Sequence, residues 1–370
     1  IAGGLFQTVM AMAVRKMTKP KPEKVLVALS GGLDSAVSAA LLQQAGYEVA
    51  GCFMKLWTDE AQPEDCASTE AQERARKIAN YLDIPFFVFD LQAEFDQAVI
   101  QPFLKAYQAG LTPNPCVFCN EQIKFDLFWQ RAQAEGADFM ATGHYVILRL
   151  KNNLFELHRG DDKSKDQSYF LWRLNQAHLQ HSLFPLGHYR KHRVRKLAER
   201  WKLPAPKRLE SMEICFIPGS IDNFLSARLK LSPGPIIDDQ GQELGQHQGL
   251  PLYTIGQRKK IGLTHGPYYV RKKDIKKNTL LVTKDKRTLA NRHLFCTEIN
   301  WIDGVEPNRT VSVKAKIRYH HRMSAAKVSR SSDGRYRVDF RRPQVAITPG
   351  QSVVFYRGSK LLGGGVIIEE

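Results

Sequence analysis

The sequence is poor in most of the features that would take it out of the ordinary globular class. It has six cysteines in 370 residues, Cys52, Cys66, Cys116, Cys119, Cys215 and Cys296. That is too few for the disulfide framework of a secreted module, so a reducing compartment is expected and a thiol pair reads as catalytic or metal-binding. Glycine and proline, 26 and 18 residues, are too scattered for a collagen-like or low-complexity chain. No repeat period is visible. The apolar opening from Ile1 to Val14 has no basic region before it, with Arg15, Lys16, Lys19 and Lys21 following instead, and it is shorter than the roughly 20 residues that span a bilayer. Residues 1–23 therefore read as an N-terminal extension, and a cytoplasmic location without a membrane partner is expected. Acidic residues are also scarce: 37 Asp+Glu stand against 54 Lys+Arg, a formal charge of +17. Such a surface attracts polyanions, nucleic acid ahead of anionic membrane.

What is present supports large cores. A composition of 43% hydrophobic and 10% aromatic residues supplies enough apolar surface to exclude disorder as the main theme, and the length predicts two or three domains. The apolar run Val25 to Leu29 ends in Ser30-Gly31-Gly32, then Asp34-Ser35 and a helical stretch closed by Gly46. This is strand, glycine turn, helix. Strand-like Val49–Met54 and Phe86–Phe89, alternating with helix-like Glu70–Leu82, Phe125–Glu135 and Val194–Trp201, predict an α/β domain with a doubly wound parallel sheet over residues 24–220. After Pro218 glycine and proline become frequent, and a small β-rich domain is expected at 221–290, basic from Arg258 to Lys277. From Asn291 the pattern alternates with period two, Val311, Val313, Ala315 and Ile317 against Lys314, Lys316 and Arg318. That predicts an antiparallel β-barrel at 291–370.

Two groups of residues carry chemistry. The hexapeptide Ser30 to Ser35 sits where a strand meets a helix, a place where free backbone N–H groups and the helix dipole attract anions; its glycines admit an oxyanion without an intervening Cβ. No Gly-Lys-Ser/Thr follows, so it is not the Walker loop, and a lone Ser-Gly-Gly would read first as an ordinary turn capped by Ser and Asp. The second group is Cys116, Cys119 and Cys215. Sulfur transfer needs one thiolate to carry a persulfide and another to cleave its S–S bond. Three thiolates would also serve a zinc ion or a [4Fe–4S] cluster with an open iron site, and the residues alone leave these routes open. Cys52, Cys66 and Cys296 read as buried small hydrophobes.

Ser30-Gly31-Gly32-Leu33-Asp34-Ser35 resembles the pyrophosphate loop of the ATP pyrophosphatases, which adenylate a carbonyl-type oxygen and release pyrophosphate. The segments Phe53-Met54-Lys55, Thr112 to Asn120, Ala141 to Tyr145, Lys165 to Tyr169, Ile214 to Ile217 and Gly363 to Gly365 narrow the resemblance to the tRNA-specific 2-thiouridylases, nearly end to end from Lys24 to Ile368. The resemblance implies that 24–220 is the catalytic domain and 291–370 a tRNA-binding barrel. ATP is then expected at Ala28, Leu29, Ser30, Gly31, Gly32, Leu33, Asp34, Ser35, Met54 and Gly143, with Mg²⁺ acting through Asp34. Cys215 becomes the persulfide carrier and Cys119 the thiol that releases its sulfur, leaving a Cys119–Cys215 disulfide. Asn114, Pro115 and Cys116 are expected at the flipped target base, and His144, Lys165, Asp166, Gln167, Arg318, Tyr319 and Gln351 at the tRNA. The reaction implied replaces the C2 oxygen of the wobble uridine in tRNAs for Lys, Glu and Gln. A persulfide relay protein or cysteine desulfurase is the implied sulfur donor, and a monomer is expected. Two other readings keep parts of this picture: an ATP pyrophosphatase making lysidine, thiolating cytidine or amidating a nucleotide, and a non-catalytic RNA-binding module.

Overall fold

A computed structural model describes residues 22–57, 67–206, 214–217 and 219–370. Cys66, Pro218 and nearly all of the N-terminal extension lie outside them. The first strands form where the sequence places its short apolar runs: β1 (Lys24–Ala28), β2 (Glu48–Lys55), β3 (Phe86–Asp90) and β4 (Phe139–Ala141). A hairpin follows, β5 (Val146–Lys151) and β6 (Leu154–Arg159), and then the two-residue β7 (Ser182–Leu183). Strands β3-β2-β1-β4-β7 make one parallel sheet in that order. Val25 and Val27 point into one buried cluster with Ala36, Val37 and Ile78, while Leu26 points into another with Phe125, Phe128 and Trp172. Both faces of β1 are therefore dry, which is why it reads as a continuous apolar run. Helix α1 (Leu33–Gln44) starts directly from the glycine turn, and α2 (Ala67–Tyr81) packs beside β2.

The helix expected from Phe125 begins earlier and in another form. Cys119–Leu127 is a π-helical segment, continued by an α-helix over Phe128–Ala134. Such widened turns recur at functional sites.

The central region is a four-stranded sheet, β8 (Gly234–Ile237), β9 (Glu243–His247), β10 (Tyr269–Asp274) and β11 (Thr279–Thr283), in the order β10-β11-β8-β9. The last strands, β12 (Ala290–Trp301), β13 (Val311–Lys316), β14 (Ser324–Arg330), β15 (Tyr336–Val345), β16 (Ser352–Arg357) and β17 (Lys360–Ile368), form an antiparallel barrel that closes by β12 pairing with β17.

Two barrel features depart from simple alternation. Lys316, expected to face outward, is buried at 8% exposure, its ammonium 5.8 Å and 5.2 Å from the ring centroids of Tyr169 and Tyr319. Strand β16 is buried on both faces from Ser352 to Tyr356. The cause is packing from the first domain: Val354 and Tyr356 share a buried cluster with Tyr169, Leu171 and Trp172, and the β5–β6 hairpin extends the barrel sheet beside β17. Lys360 Nζ binds Glu156 Oε1 at 2.8 Å across this joint. The glycine run 363–365 allows the close packing: a Cβ on Gly364 would stand 2.9 Å from the Trp172 ring.

Candidate active site

The glycine turn is drawn tight by its two serines. Ser35 Oγ donates to Gly32 O at 3.0 Å and accepts Ser30 N–H at 3.2 Å. Gly31 has φ +72°, and a Cβ there would lie 2.3 Å from Ala71 O on α2; only glycine fits both the conformation and the space. Gly32 is the N-cap of α1, with no side chain closing the helix end. The first-turn amides are therefore left for an anion. Leu29 N–H donates to Cys52 O at 2.7 Å, so Ala28 and Leu29 are fixed against β2, where half-buried Met54 stands two residues further along.

A short segment after β4 joins this turn to the thiols. Gly143 abuts α1 so closely that a Cβ would sit 3.2 Å from Ser35 N. Tyr145 Oη donates to Asp34 Oδ1 at 2.6 Å. Between them, buried His144 shares a 2.8 Å hydrogen bond with Thr142 Oγ1 and lies 6.0 Å, ring to ring, from Phe125 of the π-helix. Burial, reinforced by the charge of Lys124, holds the His144 pKa well below the ordinary imidazole value. It is a neutral group inside the protein, not a cation offered to phosphate.

Cys119 is buried and Cys116 half-buried, while solvent reaches Cys215 in a crowded setting. Cys119 shares an apolar cluster with Phe216 and Ile217, the two residues after Cys215. Desolvation pushes the Cys116 thiol up to about 11 and Cys119 up to about 12, and raises Cys215; Cys215 adds to the rise at both of the others, and Lys124 opposes it at all three. The three sulfurs and the Lys124 ammonium thus share one electrostatic environment. Lys124 is held by Asn120 Oδ1 at 3.0 Å. Among the described residues no group of three or more His, Cys, Asp or Glu is placed to hold a metal ion, so the three thiols as arranged do not fit a cluster.

The residues singled out for tRNA fall into two sets. Lys165 is exposed, and Tyr319 is half-buried with its ring 4.6 Å from that of Phe170. The others form joints. Asp166 is buried and bound by Arg159 Nε at 2.6 Å; Gln167 Oε1 accepts Tyr145 N–H at 3.1 Å. Arg318 Nη2 donates to Ile255 O and Ala346 O, both at 2.9 Å, tying the central region to the barrel. Gln351 Nε2 donates to Thr112 O at 2.9 Å, and Thr112 N–H to Pro349 O at 3.0 Å. The barrel turn therefore grips the loop that leads to Asn114, Pro115 and Cys116. Of the basic run, Arg258, Lys259, Lys260, Arg271, Lys272, Lys276 and Lys277 are exposed, whereas Lys273 turns inward and donates to Tyr253 O at 3.0 Å.

One residue that the sequence did not single out is Lys191, whose Nζ lies 2.6 Å from both carboxylate oxygens of Asp34.

The class is an α/β domain with an uncapped glycine turn at the head of its parallel sheet, joined through one segment to a cysteine-bearing π-helix. The family described as the tRNA methyl transferase HUP domain matches residues 23–219, its PRC-barrel domain 222–284, and the aminomethyltransferase beta-barrel domain 291–367. A protein of Chloroflexus aggregans named tRNA-specific 2-thiouridylase MnmA is 46% identical over 93% of this chain and 98% of its own length. One of the same name from Moorella thermoacetica is 44% identical over 92% and 98%. The chain belongs to the tRNA-specific 2-thiouridylase family. A solved U34-tRNA thiolase, NcsA from Methanococcus maripaludis with its [4Fe-4S] cluster, overlaps 56% of this chain and 69% of its own at 21% identity and TM-score 0.33, a likeness too partial to bear on the chemistry here.

Proposed function

We propose that the protein is an ATP-dependent tRNA uridine 2-sulfurtransferase acting on the wobble position of tRNAs for Lys, Glu and Gln. One observation carries this reading: the Thr142–Tyr145 segment touches the glycine turn through Gly143 and Tyr145 and packs on the cysteine-bearing π-helix through His144. Activation and sulfur transfer can then act on one base.

In this reading the turn from Ala28 to Ser35 cradles the ATP phosphates, with Met54 and Gly143 at the nucleoside. Asp34 is the carboxylate that would hold Mg²⁺, which suits an ion bound through one carboxylate and substrate phosphates and supplies charge neutralisation there. The uridine O2 attacks the α-phosphorus, its N3 proton goes to water, and pyrophosphate leaves. The terminal sulfur of a Cys215 persulfide, charged by a relay protein or cysteine desulfurase, attacks C2 and expels AMP. Cys119 thiolate then attacks the Cys215 sulfur, forming a Cys119–Cys215 disulfide and leaving the sulfur on C2; an external dithiol reduces the pair. Asn114, Pro115 and Cys116 face the flipped base, since a base must leave its stack to be modified. Lys165, Tyr319 and the exposed cations of the central domain meet the RNA by stacking and phosphate pairing.

The test is thiolation of a transcribed glutamate tRNA by iron-free protein with ATP, Mg²⁺ and a persulfide donor, read by sulfur-sensitive gel retardation. ATP-dependent retardation supports the reading. No retardation, or retardation only with iron-loaded protein, overturns it. A second consequence is salt dependence: tRNA affinity falls steeply as salt rises, because phosphate contacts release counterions.

A further inference from the structure

The π-helical segment that carries Cys119 is held at its start by one arginine. π-turns are rare and mostly occur singly, yet this segment runs nine residues, Cys119–Leu127, and no side chain caps its first turn. Cys119 and Ile123 fasten it to the apolar cluster of Phe103 and Phe216. A second hold comes from Arg173, 52 positions away. Arg173 Nε donates to Glu121 Oε2 at 2.6 Å, and its guanidinium carbon stands 5.0 Å from the centroid of the Phe118 ring. One guanidinium thus takes hold of the chain on both sides of Cys119 and Asn120. The Arg173 and Glu121 side chains are each only 19% exposed, which strengthens their attraction over that of a solvated pair.

The same guanidinium reaches the barrel. Arg173 Nη1 donates to Glu298 Oε2 at 2.8 Å. Glu298 has φ +50°, the left-handed region that residues other than glycine seldom adopt, and it lies where the β12–β17 register shifts, between Thr297 and Asn300. Irregularities of this kind re-aim side chains next to functional sites. Asn300 Nδ2, at the end of the same irregularity, donates to Trp172 O at 2.7 Å and Leu174 O at 2.9 Å, the carbonyls on either side of Arg173. A single distorted stretch of β12 therefore fixes both the backbone and the side chain of Arg173. Among the described residues its side-chain partners are Glu121, Glu298, Phe118 and Trp172, none of them in the glycine turn.

We infer that Arg173 is a positioning residue for the sulfur-release step: it ties the start of the π-helix to the barrel and so holds Cys119 in line with Cys215. This rests on Cys119 and Cys215 being the working thiol pair. In that step the Cys119 thiolate bonds to Cys215 Sγ, the bond from that sulfur to the transferred sulfur breaks, and its electron pair stays with the sulfur on C2. Attack on a disulfide sulfur depends on access to it as well as on the attacking thiolate, so a shift of the π-helix start costs rate without touching the nucleotide. Arginine suits the task because its planar fork serves two carboxylates at once, which a lysine ammonium on its flexible stem does poorly.

The experiment equilibrates the full chain in glutathione buffers of graded redox state and quantifies the Cys119–Cys215 disulfide by peptide mass spectrometry, for wild type, Arg173→Met, Arg173→Lys and Glu298→Gln. Urea melts of the reduced proteins and single-turnover assays of pyrophosphate release and 2-thiouridine accompany it. Arg173→Met is expected to lower the dithiol–disulfide equilibrium constant about tenfold, the scale of losing a charged hydrogen bond. Glu298→Gln, which leaves Arg173 and Glu121 paired, is expected to lower it about threefold, as suits a more exposed partner, and Arg173→Lys to fall between. 2-Thiouridine formation should fall in the same order while pyrophosphate release keeps the wild-type rate. Should Arg173→Met not fold, Glu298→Gln decides. Equal disulfide constants across the folded chains, whatever the melts show, would make Arg173 a stabilising tie only and overturn the inference, as would parallel loss of pyrophosphate release. A wild type that forms no Cys119–Cys215 disulfide in any buffer would instead remove the thiol pair itself, and the inference with it.

Discussion

The glycine turn and the cysteine pocket stand at opposite degrees of readiness. In the turn the local constraints are already met: Ser30 and Ser35 bond to each other's segment, Gly31 fills a space that admits no Cβ, and the Asp34 carboxylate is held by Tyr145 and Lys191. In the pocket the thiols are close enough to raise one another's pKa, and desolvation keeps them protonated. Nucleophilic sulfur is thiolate, not thiol. The difference teaches that the glycine turn is built as it stands, whereas the thiol pocket needs a change of environment before its sulfurs become nucleophilic; on the proposed function, RNA binding or charging with a persulfide supplies it.

Breaking the prepared end gives the largest effect. Gly31→Ala would force a Cβ to 2.3 Å from Ala71 O at a positive φ; it is expected to abolish ATP binding by calorimetry and to cost about 1–3 kcal/mol of stability in a urea melt. Unchanged ATP affinity would show that the turn is only a cap.

The unprepared end is sharpened by pH. Raised thiol pKa values mean that the neutral S–H form persists to higher pH than in a free cysteine near pH 8.5, and that thiolate appears only as pH climbs through the raised value. Iodoacetamide is therefore expected to modify Cys215 in the RNA-free protein more slowly at pH 7 than it modifies a free cysteine, with the rate still rising above pH 9. A rate that levels off below pH 8 would show a prepared thiolate. Lys124→Gln removes the cation that opposes these shifts and should slow alkylation further, by a few-fold, without altering ATP binding.

The smallest effect belongs to the joint between the halves. Gln351→Ala removes the hydrogen bond to Thr112 O, worth about 1 kcal/mol. It is expected to lower single-turnover thiolation several-fold through a looser loop before Asn114 while leaving pyrophosphate binding intact.

What could be read from the sequence follows the range of the interactions involved. The strand, glycine turn and helix were legible because they are local: an apolar run, a positive-φ glycine and a helix start lie within about twenty residues. The barrel was legible from its alternation, except at Lys316 and along β16, where a second layer of protein covers the outer face. That layer includes Tyr169, Leu171 and Trp172 of the first domain, far from β16 in sequence, so the strand's own alternation gives no sign of it. Lys191 was hidden because it lies 157 positions from Asp34 in a basic helix, where one more lysine reads as a solvated charge. Gln351, 239 positions from Thr112, shows the same limit. Cys119 and Cys215 are singled out only by family resemblance; nothing in their spacing points to a pair, and in the fold Cys119 shares an apolar cluster with Phe216, the residue after Cys215.

The comparison between the two ends makes one claim above the others, that they are separable. The direct measurement is pyrophosphate release and 2-thiouridine formation in the same reaction, on glutamate tRNA with ATP, Mg²⁺ and a persulfide donor, for wild type and Cys215→Ala. The account predicts that Cys215→Ala still releases pyrophosphate in the presence of tRNA while forming no 2-thiouridine. Loss of both together, or 2-thiouridine formed without Cys215, would contradict it.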